Sequence, residues 1–106
     1  MELNDAVVAL GGLAQATRLE IFRLLVQAGP EGLAAGEIAA RLEIPANTLS
    51  FHLTQLKQAG LSTCRRESRS LIYAARYEKM NALLAYLTEN CCQGAACATT
   101  TRGACQ

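Results

Sequence analysis

The stretch between Pro45 and Gly60 constrains the fold of this 106-residue chain more than any other. Pro45 forbids continuation of a helix arriving from its N-terminal side, and Gly60 supplies a stop for the one that follows. Between them, Leu49, Leu53 and Leu56 fall on one helical stripe, while Asn47, Thr48, Ser50, His52, Thr54, Gln55 and Lys57 cover the rest of the surface. That pattern predicts an amphipathic helix from Ala46 to Ala59. Its polar face carries short hydrogen-bonding side chains rather than Glu and Lys, which suits reading base edges in a major groove. A shorter helix, Ala35 to Leu42, burying Ile38, Ala39 and Leu42, precedes it. The two lengths and the short Pro-containing connection are those of a helix-turn-helix.

The flanking segments complete the pattern. Val7, Leu10, Leu13 and Ala14 follow helical spacing between Asp5 and Ala16, interrupted by Gly11-Gly12. Thr17 and Glu20 have capping-box spacing, and Leu19, Phe22, Leu25 and Val26 predict the buried stripe of a second helix that Gly29-Pro30 ends. The segment Glu31-Gly32-Leu33 reads as a loop. Leu61–Arg66 and Leu71–Arg76 read as two strands of a hairpin joined by Glu67-Ser68-Arg69-Ser70, with Arg65, Arg66 and Arg69 clustered near its tip as a basic wing. Met80, Leu83, Leu84 and Leu87 mark a last helix over Glu78–Cys91. The fold class expected is mainly α, a winged helix-turn-helix with a two-stranded β-hairpin wing. Residues 1–92 form the DNA-binding and dimerisation domain and 93–106 a flexible, cysteine-containing tail.

A formal net charge of +1 hides an asymmetry. Residues 44–77 hold Lys57, Arg65, Arg66, Arg69 and Arg76 against Glu67 alone, whereas residues 1–43 are acidic on balance. Phosphate binding needs positive charge concentrated in this way. Asn47, Thr48, Ser50, His52, Gln55, Lys57, Arg65, Arg66 and Arg69 are therefore the candidate DNA contacts. His52 also admits a packing role, and Tyr73, Tyr77 and Tyr86 read as core or interface aromatics. No basic n-region with an apolar segment opens the chain and no run is long enough to span a bilayer, so a cytoplasmic protein is expected. In a reducing compartment, its five cysteines point to metal binding or redox chemistry rather than a disulfide framework.

With the segments Ala16-Thr17-Arg18-Leu19-Glu20-Ile21 and Ser50-Phe51-His52-Leu53-x-x-Leu56-x-x-Ala59-Gly60-Leu61 in view, the chain resembles the ArsR/SmtB family of metalloregulatory winged-helix repressors from Ala14 to Asn90. The resemblance implies a homodimer joined through the first and last helices, which binds operator DNA when unliganded and releases it on binding a metal or metalloid. Two sites usual in the family are missing. No cysteine stands in the matching third-helix segment Ala34-Ala35-Gly36, and the last helix lacks the histidine and carboxylate cluster of zinc sensors. What remains, Cys91-Cys92-Gln-Gly-Ala-Ala-Cys97, resembles the arrangement in arsenic-responsive members whose adjacent pair and third cysteine end the last helix.

Trivalent arsenic is thiophilic and takes three thiolates in a trigonal pyramid, whereas zinc takes four donors in a tetrahedron. Cys91, Cys92 and Cys97 suit As(III), with Cys105 as an additional or alternative ligand. Neighbours on a regular helix point about 100° apart, so Cys91 and Cys92 can converge only where the helix ends, a turn that Gly94 permits. Sb(III) or methylarsenite are further candidate effectors, the latter needing only two thiolates. Zn(II) held by Cys91, Cys92, Cys97 and Cys105, a thiol-redox switch, and a cysteine-pair redox enzyme are the competing readings. The last lacks a nearby histidine and a rigid scaffold for catalytic thiols. Cys64, alternating with Thr63 and Arg65, reads as a packed wing residue.

Overall fold

The computed structural model describes residues 1–94. Five α-helices and a small antiparallel sheet follow in the order α1 (Leu3–Leu13), α2 (Ala16–Ala28), β1 (Leu33–Ala34), α3 (Ala35–Leu42), α4 (Ala46–Gln58), β2 (Ser62–Glu67), β3 (Ser70–Ala75) and α5 (Tyr77–Thr88), closed by a 3₁₀ turn at Cys91–Gly94. The core forms where the apolar stripes of the helices meet. Ile21, Leu25, Ile38, Leu49, Leu53, Leu56 and Leu61 are all but inaccessible to solvent. This is the expected winged helix-turn-helix.

Several local details differ from the sequence expectation. Helix α1 starts at Leu3, because the Glu2 side chain accepts from the backbone of Asp5 while the Asp5 carboxylate accepts from Glu2 N at 3.1 Å. It also runs straight through Gly11-Gly12. The reason for Gly12 is contact: a Cβ there would lie 2.7 Å from Ala59 Cβ, so the missing side chain lets α1 lie against the end of α4. Helix α2 is capped not by Thr17 but by Gln15, whose side chain accepts from Arg18 N at 2.8 Å. Its buried stripe is Ile21, Phe22 and Leu25, leaving Leu19 largely exposed.

The wing is part of a three-stranded sheet, order β1-β3-β2, rather than a two-stranded hairpin. Leu33 pairs with Tyr73 and Ala34 with Ile72, so Leu33, expected to end a loop, instead opens a short strand beside β3. Gly32 makes this pairing possible, since its φ of +78° is a left-handed conformation and a Cβ there would overlap the Tyr73 carbonyl. Gly32→Ala should cost about 2 kcal/mol, lowering the thermal midpoint by ~10 °C. Circular dichroism melts of the two proteins check this, and an unchanged midpoint would show that the β1 pairing is dispensable.

On the far side, α5 leans on the core through Leu83, and the Tyr77 hydroxyl donates to the Val26 carbonyl at 2.9 Å. Leu84 and Leu87 remain more than half exposed, as do Leu3, Val7 and Val8 on α1. An apolar groove of about 290 Å³ separates α2 from α5, lined among others by Leu19, Phe22, Val26, Met80 and Leu84. Exposing this much large aliphatic surface on two terminal helices is unfavourable for an isolated chain.

Candidate nucleic-acid interface and thiol site

Helix α4 is placed by the turn Glu43-Ile44-Pro45. Glu43 adopts a left-handed conformation (φ 54°) that ends α3, and Ile44 N donates back to Ala39 O at 3.0 Å. Helix α4 can then restart at a new angle, packing Leu49, Leu53 and Leu56 inward. Asn47, Thr48, Ser50 and Lys57 are exposed and Gln55 is half-buried. The Asn47 side chain accepts from Thr48 N at 2.9 Å, which satisfies one of the first-turn amides.

His52 is the exception. Expected among the DNA contacts, it is instead only 8% exposed, and its Nδ1 is buried with no hydrogen-bond partner among the described residues. The physical reason is its angular position: at 100° per residue it lies beside Leu49 and Leu56 on the inward side of the helix. Phe51, its neighbour, points the other way and is 58% exposed. The two rings meet edge to face with centroids 5.5 Å apart. Phe51 was absent from the sequence-derived contacts, although the same angular count places it on the outer face.

The wing arginines divide into two kinds. Arg65 is anchored, its Nε donating to Glu67 Oε2 at 2.8 Å and its Nη2 to the Glu31 carbonyl at 2.9 Å, so it braces β2 against the loop before β1. Arg66 and Arg69 are exposed and in no ion pair among the described residues. Cys64 packs opposite Tyr73 across β2 and β3. Burial, then the hydrogen bond and charge of the Cys64 thiol, push the Tyr73 phenol above its ordinary range.

Helix α5 stops at Thr88, earlier than the sequence suggests, and the chain then turns through left-handed residues at Asn90, Cys92 and Gln93. Unwinding brings the adjacent cysteines together, with Cys91 Sγ and Cys92 Sγ 3.6 Å apart. A disulfide bond would need ~2.05 Å. Metal–sulfur bonds of ~2.3 Å in a tetrahedral site put sulfurs about 3.8 Å apart, so the pair stands near chelating distance. Burial, reinforced by the hydrogen bond and charge of Cys91, raises the Cys92 thiol above its ordinary range. Cys97 and Cys105 lie outside the described residues, and among the described residues no three His, Cys, Asp or Glu side chains converge.

A short helix, a three-residue turn, a polar second helix and a basic wing define a winged helix-turn-helix DNA-binding module. Comparison with known proteins agrees. The helix-turn-helix domain family matches residues 13–65. The chain is 34% identical over 95 residues to the transcriptional activator HlyU of Vibrio cholerae, spanning 88% of this chain and 85% of HlyU. Among solved structures it is similar to an ArsR-like transcriptional regulator from Rhodococcus sp. RHA1 (TM-score 0.71, 25% identity, 79% and 76% of the two chains). It is also similar to the homodimeric winged helix-turn-helix DNA-binding domain Mb0332 of Mycobacterium bovis (TM-score 0.67, 27%, 83% and 82%). A third similar structure is a possible transcriptional regulator for arsenical resistance (TM-score 0.66, 28%, 74% and 79%). The chain belongs to the ArsR-type winged-helix family of DNA-binding transcriptional regulators. No described helix is long and apolar enough to cross a membrane.

Because phosphate contacts carry salt dependence, Lys57→Ala, Arg66→Ala and Arg69→Ala should each weaken binding to all duplexes alike. Each should also reduce the slope of log affinity against log salt by about 1. Anisotropy titrations across salt concentrations measure both. An unchanged slope would remove the residue from the interface.

Proposed function

We propose that this regulator is a homodimeric, arsenic-responsive repressor that holds operator DNA and releases it when As(III) binds Cys91, Cys92 and Cys97. The observation that carries this reading is the pair of thiols 3.6 Å apart at the end of α5, the helix whose exposed Leu84 and Leu87 offer a subunit interface. Two of the three proposed ligand sulfurs, those of Cys91 and Cys92, already converge. Three donors suit a pyramidal As(III) centre better than a tetrahedral metal. The likeness to a regulator described for arsenical resistance points the same way.

Dimerisation is supported by the apolar faces of α1 and α5 and by the homodimeric state of the similar Mycobacterium bovis domain. The two copies of α4 would then enter successive major grooves about 34 Å apart. Ligation at the end of α5 tilts the two heads relative to one another and spoils that spacing. A coupling free energy of ~1–3 kcal/mol is enough for one to two decades of DNA affinity. The test is to select a duplex from a random pool with the reduced protein and then titrate the complex with arsenite. Release at one arsenic per chain is expected. Retention at saturating arsenite would overturn the arsenic reading and leave the DNA-binding assignment standing.

A further inference from the structure

We infer that Phe51 is a specificity-determining residue that packs against the 5-methyl group of a thymine in the major groove. This rests on the DNA-binding reading of α4. Phe51 is the one large apolar side chain on that helix left more than half exposed. Asn47, Phe51, Thr54 and Gln58, all exposed, follow one another at i, i+4, i+7 and i+11, which places them on a single stripe facing away from the core. On one flank Gln55 and Gln58 of α4 line a cleft shared with Val8, Gly11 and Gly12 of α1. On the other Leu53, Thr54, Lys57 and Gln58 line a cleft shared with Tyr73 of β3, and Phe51 lines neither. Phe51 stands clear of both flanks, so neither neighbouring element covers it.

The surrounding polar residues decide the occupant. A phenyl ring ringed by Asn47, Ser50 and Thr54 on the DNA-facing side of a recognition helix meets base edges, and the only apolar group those edges present in the major groove is the thymine methyl. The Thr54 hydroxyl donates to the Ser50 carbonyl at 2.9 Å, which turns its polar hydrogen back on the helix beside the ring. Phe51 leans edge-on against the buried His52, so its orientation is set before DNA arrives.

The test uses the full reduced chain and a duplex selected from a random pool, with each thymine replaced in turn by deoxyuridine, which removes only the methyl. Burying one methyl group contributes about fourfold in affinity. At one position per half-site, uracil should weaken the wild type about fourfold, leave Phe51→Ala unaffected, and keep a reduced effect in Phe51→Leu. Unchanged melting midpoints of the variants accompany this result, because the side chain is exposed. A wild type indifferent to every uracil replacement overturns the proposal, as does a Phe51→Ala variant equally sensitive to them. Enrichment of no duplex overturns the DNA reading and this one together, whereas enrichment without a methyl-sensitive position overturns this one alone.

Discussion

Replacing Cys91 and Cys92 by serine is expected to abolish arsenite-driven release while leaving DNA affinity in the absence of arsenite within about twofold. Neither residue lies on α4 or the wing, so the unliganded interface is untouched. Removing both thiols leaves Cys64 on the wing with Cys97 and Cys105, and takes away the converged pair seen at 3.6 Å. The 5–150-fold change in DNA affinity that a coupling of 1–3 kcal/mol provides would vanish. Because serine nearly matches cysteine in size, the turn at Asn90–Gln93 is retained, and any loss reports chemistry rather than folding. Anisotropy of the operator complex with and without arsenite makes the measurement. Undiminished release from the double variant would move the sensor elsewhere.

The second large effect is on assembly. Leu84→Glu with Leu87→Glu should convert the proposed dimer to a monomer, read by analytical ultracentrifugation, and weaken operator binding at least about hundredfold. Both leucines are more than half exposed on the single chain, so the charges cost little within it and much at an apolar subunit interface. A monomer engages one half-site and forfeits the effective concentration that tethers the second head, an avidity worth 10²–10⁴. Paired with a melt showing that the single chain still folds, this separates a lost interface from a lost core. A variant that stays dimeric would place the interface on other residues.

How far the sequence alone reached is visible element by element. The helix-turn-helix was legible because Pro45 and Gly60 punctuate α4 and its leucines keep helical spacing, signals local to the segment that shows them. The convergence of Cys91 and Cys92 was legible as a requirement, since adjacent residues meet only where a helix ends, and α5 does end before them. The strand Leu33–Ala34 was not legible. Two residues carry no periodicity, and their strand character comes from pairing with Tyr73 and Ile72, some forty residues away in sequence. Thr17 and Glu20 have capping-box spacing, yet Thr17 is already the second residue of α2, and Gln15, a less usual cap, supplies the acceptor.

The recognition helix shows a subtler failure. Polarity favours His52 outside, with packing as the alternative, and gives Phe51 no contact role, yet the structure buries the imidazole and exposes the phenyl ring. Angular position on the helix outranked side-chain polarity, because turning Phe51 inward would rotate Leu49, Leu53 and Leu56 out of the core. A residue exposed against its own hydrophobicity draws attention to a surface that something else covers. Cys97 and Cys105, the remaining candidate ligands, lie outside the described residues.

Native mass spectrometry of the fully reduced full-length chain titrated with arsenite tests the arsenic-responsive reading most directly. The expected species is a dimer carrying one arsenic per chain with the loss of three hydrogens from each, the three thiol protons leaving with the hydroxyls of arsenite as water. A dimer that bound zinc through four thiols but took up no arsenic, or that bound neither, would contradict it.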